Sequence, residues 1–309
     1  MTHEQEPDHP EDGPEIVSER SFEASPRRVP PGLHLVATPI GTARDITLRT
    51  LDILAGADVL AAEDTRSLRR LMEIHGIRLE GRPLLAYHDH NGGQMRPRLM
   101  SALAEGKSVA FAPEAGTPLI SDPGFQLART AIDQGHSVVA APGASAVLAA
   151  LAVGGLPTDR FCFMGFAPSQ GAARKRFLAE AAQIPATLAF YESPKRVHRL
   201  LTEIAETLGA ERDCALCREL TKRFEEVVRG TVAEVAAAIE GRTLKGEIVL
   251  LVGREAEGAG EAVDLDDALS RALERASLRE AVDMVTAETG LKRRAVYQRA
   301  LALREGKDE

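Results

Sequence analysis

The 309-residue sequence has only three cysteines and no apolar run of membrane-spanning length. So few cysteines build no disulfide framework, and a reducing, cytoplasmic setting is the expectation. A membrane helix needs about 18 or more consecutive apolar residues, so no transmembrane helix is read. The first residues are acidic where a secretory leader is basic and then apolar, so no export signal is read either. Familiar catalytic signatures are missing as well. No G-x-x-x-x-G-K-[ST] phosphate loop occurs, and no G-x-G-x-x-G follows the first β-prone run. Ser145 stands in Gly-Ala-Ser-Ala-Val, which is not the G-x-S-x-G nucleophile elbow. Cys214-Ala-Leu-Cys217 has no second pair and reads as two core cysteines. His88-Asp-His90 has no accompanying ligand cluster and reads as a polar loop, so no metal is expected.

What is there is an ordinary globular composition, with 44% hydrophobic and 27% charged residues. The formal net charge of -8 does not advertise a nucleic-acid partner, but it is unevenly spread. Residues 1–31 hold eight acids and three bases, which leaves -3 for everything after them. Local basic groups therefore remain available to a polyanion.

Residues 1–31, rich in Pro, Glu and Asp, are expected to be a disordered acidic extension. From Gly32 onward short β-prone runs alternate with helical segments, which predicts an α/β domain over 32–153 with a mostly parallel sheet. The strands are expected near 32–38, 57–62, 84–87, 108–112 and 137–141, and helices fall between them. Gly154-Gly-Leu-Pro157 reads as a break. A second α/β domain is expected over 157–254, with β-prone runs near 161–165, 187–191, 214–217 and 247–252 and helices near 195–208 and 232–240. A linker at 255–261 leads to a helix-turn-helix-like tail over 262–305, where Ser277-Leu-Arg-Glu280 fits a capping box.

Two turns carry the functional signal. Ala112-Pro-Glu-Ala-Gly-Thr-Pro-Leu-Ile-Ser-Asp-Pro-Gly124 and Ala141-Pro-Gly-Ala-Ser-Ala146 each follow a run suited to a buried strand. Small, backbone-exposing turns at strand ends are where open α/β sheets bind ligands. Gly116 and Gly143 permit close approach, Pro118, Pro123 and Pro142 stiffen the turns, and Thr117, Ser121 and Ser145 supply hydroxyls. The pair reads as a nucleoside-sized cradle.

The turns belong to an ordered series of motifs. These are Val36-Ala-Thr-Pro-Ile-Gly41, Asp45-Ile-Thr-Leu-Arg49, Ala62-Glu-Asp-Thr-Arg66, Tyr87-His-Asp-His-Asn91, Ala115–Gly124, Pro142-Gly-Ala-Ser-Ala146, Tyr191-Glu-Ser-Pro194, Arg218-Glu-Leu-Thr-Lys222 and Lys245-Gly-Glu247. Together they closely resemble the ribosomal RNA small subunit methyltransferase I family of the tetrapyrrole-methylase (class III) superfamily, over roughly residues 32–303. The resemblance implies two α/β domains with an S-adenosylmethionine cleft between them. It also implies 2′-O-methylation of a cytidine in the decoding region of 16S rRNA, the small ribosomal subunit as partner, and a homodimer. Cofactor contacts would fall on Pro39, Gly41, Gly116, Thr117, Pro118, Ile120, Ser121, Ser145, Ala146, Phe166, Tyr191, Lys245 and Gly246. The sequence departs from the family pattern at Thr42, Gly92, Pro113-Glu114 and Ala144.

A ribose hydroxyl is a poor nucleophile, so a base is expected to help it. Glu114 and Asp122 are the candidates, with Arg66, His90, Lys222 and Arg223 expected to meet RNA. Further basic groups at Arg69-Arg70, Arg174-Lys-Arg176, Lys195-Arg196, Arg199 and Lys292-Arg-Arg294 outline a discontinuous track. Two other functions fit the same cradle. One is a class III methyltransferase acting on a corrinoid or diphthamide precursor, and the other is a non-catalytic RNA-binding assembly factor.

Overall fold

The computed structural model describes residues 28–88, 90–120, 124–255, 265–289, 291 and 293–305. The chain divides into two compact units at Ala146 and Val147. Gly154–Pro157, read from the sequence as the break, follows the helix that starts at this division.

The first unit alternates strand and helix. Its elements are β1 (Gly32–Val36), α1 (Leu48–Gly56), β2 (Val59–Ala62), α2 (Thr65–Ile74), β3 (Leu84–Ala86), α3 (Gly92–Ala104), β4 (Ser108–Ala112), α4 (Phe125–Asp133) and β5 (Val138–Ala141). The sheet order is β3-β2-β4-β1-β5, with every pairing parallel. Both faces are covered, as a parallel sheet requires. Val109 and Phe111 of β4 pack with Leu33, Leu99 and Leu127. Ala110 and Ala112 point the other way, toward Val36, Leu54, Leu60 and Met72. Arg82 closes one helix end, donating to the carbonyls of Leu54 at 2.8 Å and Ala57 at 3.0 Å.

In the second unit, α5 (Ala146–Gly154) leads to β6 (Phe161–Phe166), α6 (Gly171–Ala182), β7 (Thr187–Glu192), α7 (Val197–Thr207), β8 (Asp213–Arg218), β9 (Glu226–Thr231), α8 (Val232–Ala238) and β10 (Ile248–Val252). The order is β6-β7-β10-β8-β9, parallel only between β6 and β7. Leu188, Phe190, Leu216 and Leu250 pack on Leu178, Leu200, Leu201, Ile204 and Val235 from the helices. Helix α6 and strand β9 have no clear signal in the sequence pattern. Gly171–Ala182 is rich in Ala, Arg and Lys, good helix formers with little apolar periodicity. Glu226–Thr231 owes its strand to antiparallel pairing with β8, a tertiary cause.

The tail forms three helices, α9 (Leu265–Leu273), α10 (Leu278–Thr289) and α11 (Arg293–Glu305), around Leu269, Val282, Val285 and Val296. The capping box starts α10. Ser277 Oγ accepts from the Glu280 amide at 3.4 Å, and the Glu280 carboxylate accepts from the Ser277 amide at 3.0 Å. No helix among the described residues is long and apolar enough to cross a membrane.

Candidate functional site

In the first sheet, β1 runs onward to α1 and β2 on one side while β4 runs to α4 and β5 on the other. Their neighbouring carboxyl ends are therefore a switch point, the usual ligand position in an open α/β sheet. There the turns are tied to one another. Thr38 and Gly116 exchange both main-chain hydrogen bonds, at 2.9 and 3.0 Å. Thr117 Oγ1 donates to the Ala144 carbonyl at 3.0 Å, joining the turn after β5. The Glu114 amide donates to the Glu63 carboxylate at 3.1 Å, joining the turn after β2. Gly116 has φ 80°, and a Cβ there would meet Ile40 Cγ2 at 3.3 Å. Leu119 also lies at positive φ, 71°, an uncommon conformation for its type that tends to persist where a ligand is held.

The expected site residues of this unit gather at that edge. Pro118 is buried, Pro39, Thr117, Ser145 and Ala146 are half-buried, and Gly41, Glu114 and Ile120 are exposed. An open pocket of about 620 Å³ runs along the turns, lined by Thr38, Pro39, Gly41, Arg66, Arg70 and Glu114 among others. Arg66 lies on the first turn of α2, its side chain 90% exposed and paired with Asp64. Asp64 is the helix cap, accepting from the Arg66 amide at 2.8 Å. Its carboxyl sits below its ordinary value through the Arg66 side-chain and main-chain hydrogen bonds. His90 is exposed, with its ring 6.0 Å from that of His88. Ser121 and Asp122 lie outside the described residues.

In the second unit, one end of the sheet collects the rest. Phe166 and Tyr191 sit opposite each other in the β6–β7 register, with ring centroids 5.6 Å apart and Phe163 4.8 Å from Tyr191. Lys245 is exposed, and its carbonyl accepts from Arg218 Nη1 at 3.2 Å. Gly246 has φ 89°, and a Cβ there would overlap the Glu219 carboxylate. Glu219 fastens the turn, since its Oε1 accepts from the Glu247 amide at 3.0 Å and its own amide donates to the Glu247 carbonyl at 2.9 Å. Lys222 Nζ donates to Glu219 at 2.9 Å and to Glu247 at 2.8 Å. Burial opposes its charge, but the two carboxylates outweigh burial and raise its pKa. With two acids on one ammonium the group is net negative, so Lys222 serves the turn better than it serves a phosphate. Arg223 is exposed, its guanidinium 5.4 Å from the centre of the Phe224 ring.

A family model described as Tetrapyrrole (Corrin/Porphyrin) Methylases matches residues 32–236. A second, the RsmI C-terminal HTH domain, matches residues 259–304. The ribosomal RNA small subunit methyltransferase I of Mesorhizobium japonicum is 46% identical over 92% of this chain and 96% of its own length. That of Halalkalibacterium halodurans is 40% identical over 86% of this chain and 93% of its own length. The chain belongs to the ribosomal RNA small subunit methyltransferase I family. Its fold is shared by the methyltransferase CobJ, with a TM-score of 0.57 and 20% identity over 73% of this chain and 95% of that chain.

Some of this family member's motifs turn out to be scaffold. Arg174, grouped above with an RNA track, is buried in a two-bond pair with Glu203 and also donates to the Pro168 and Ser169 carbonyls at 2.9 and 2.8 Å. It thus fastens the loop after β6 and presents nothing to RNA. Glu192 of Tyr191-Glu-Ser-Pro194 is buried and accepts from Arg196 Nε at 2.6 Å. Cys214 and Cys217 lie inside the core, where burial pushes their thiols up to about 12 and about 11. Two site residues went unread in the sequence. Thr38 and Glu219 are legible only as members of Val36–Gly41 and Arg218–Lys222, because their partners Gly116 and Gly246 lie far along the chain.

Proposed function

We propose that the chain methylates the 2′-hydroxyl of a cytidine in the decoding region of 16S rRNA, with S-adenosylmethionine as donor. Membership of the methyltransferase family carries the reaction type, and the names of its relatives carry the RNA. The residues fit the donor. Gly116 leaves room that a Cβ would fill, Pro118 stiffens the same turn, and hydrogen bonds tie the turns after β1, β4 and β5 into one arrangement.

We assign Pro39, Gly41, Gly116, Thr117, Pro118, Ile120, Ser145 and Ala146, with Phe166, Tyr191, Lys245 and Gly246 of the second unit, to hold it. When bound, the sulfonium supplies an electrophilic methyl group. The chain supplies position and a proton acceptor, which is most of what an in-line displacement asks for. Glu114, exposed beside the pocket and fixed through its amide by Glu63, takes the proton from the ribose oxygen. Arg66, His90 and Arg223 face solvent and suit RNA phosphate.

The test is methyl transfer from labelled S-adenosylmethionine to small ribosomal subunits lacking the modification. Glu114→Gln should lower kcat about a hundredfold while leaving cofactor affinity unchanged. A variant of normal rate removes Glu114 from the mechanism.

A further inference from the structure

We infer that the pocket along the turns after β1, β2 and β4 holds the acceptor nucleotide, with Thr38 hydrogen-bonding its sugar-phosphate and Arg70 pairing with a phosphate. The inference rests on the rRNA reading above.

Thr38 is only 4% exposed, and its Oγ1 has no hydrogen-bond partner among the described residues. Both its main-chain groups are spent on Gly116, so the hydroxyl is the free end of an otherwise fixed residue. Buried hydroxyls are rarely left so, and Thr38 belongs to the pocket's lining, so a ligand seated there is the partner we assign to it. The pocket's volume of about 620 Å³ is within the range of small-molecule sites.

Its charges indicate which ligand. Arg66 and Arg70 lie one helical turn apart on α2, so their guanidinium groups share a face. Arg70 has only a loose contact with Glu73, at 3.8 Å, and its side chain is 74% exposed. Arg66 is paired with Asp64, which leaves Arg70 as the lining cation best placed for a phosphate, at the α2 side of a pocket whose other side, Pro39 and Gly41, borders the cofactor. Glu114 offers a carboxylate to a sugar hydroxyl at the same site. Leu71 and Ile74 add an apolar wall. Cations, an acceptor and a hydroxyl beside an apolar wall match a nucleotide of an RNA strand.

The test uses the full chain with S-adenosylmethionine and unmodified small subunits. Arg70→Gln should raise KM for subunits about tenfold and reduce the salt slope of binding by about one unit. Thr38→Val should lower kcat/KM about tenfold, and Thr38→Ser should restore it. Neither should change the calorimetric Kd for S-adenosylmethionine. An active wild type whose Arg70→Gln and Thr38→Val variants keep its kcat/KM overturns the inference alone, as does a matching loss of cofactor affinity. A wild type that methylates no cytidine overturns the reading beneath it.

Discussion

Thr38 and Gly116 join the turns after β1 and β4 through a pair of main-chain hydrogen bonds, at 2.9 and 3.0 Å, where the first sheet reverses its order. The bridge holds Gly116 at φ 80°, a conformation costing an L-residue roughly 1–2 kcal/mol. Gly116→Ala should therefore lower Tm by several degrees and weaken S-adenosylmethionine binding at least tenfold by calorimetry. A variant with wild-type affinity would detach this turn from the cofactor.

The Gly246 turn makes a second prediction. Lys222→Met leaves the Glu219 and Glu247 carboxylates facing each other without their shared cation. The loss should be about 1–2 kcal/mol in urea unfolding, and Glu247→Gln should cost less because Glu219 keeps its partner. Equal costs would mean that the ammonium does not organise the turn.

The Arg174–Glu203 pair predicts acid behaviour. Hydrogen bonds from Arg174, and then Arg199, overcome burial and hold Glu203 down to about 2, from an ordinary 4.5. A depressed carboxylate stabilises the fold above its unfolded pKa and loses that contribution as pH falls from about 4.5 toward 2. The contribution is about 3 kcal/mol at neutral pH, so wild-type stability should fall more steeply across that window than that of Glu203→Gln. Arg174→Ala should cost about 3–5 kcal/mol by chemical unfolding, against under 1 kcal/mol for the exposed neighbour Lys175→Ala.

Cysteine chemistry is checked by alkylation. With their thiols pushed up to about 12 and about 11 by burial, Cys214 and Cys217 should resist iodoacetamide in the native protein and react only after unfolding. Rapid native labelling, read by mass spectrometry, would contradict the packing of β8.

Much of this was legible in sequence, for physical reasons. Strands β2 and β4 of the first sheet are buried along their whole length and stand out as short apolar runs, and the glycines and prolines of Ala115–Gly124 and Pro142–Ala146 mark the turns. What local patterns hide is pairing. The strand at Glu226–Thr231 exists through β8, and the lock of Glu219 on Gly246 joins motifs far apart in the chain. Charge misled for the same reason. Arg174 reads as a surface cation until Glu203 is brought beside it.

The central claim is tested most directly by mapping modified nucleotides in 16S rRNA after small subunits from an unmodified strain are incubated with this protein and S-adenosylmethionine. The account predicts one new 2′-O-methylcytidine in the decoding region, absent without S-adenosylmethionine and formed more slowly by Gly116→Ala protein at limiting cofactor. Methylation on a base atom, on another RNA, or not at all would contradict it.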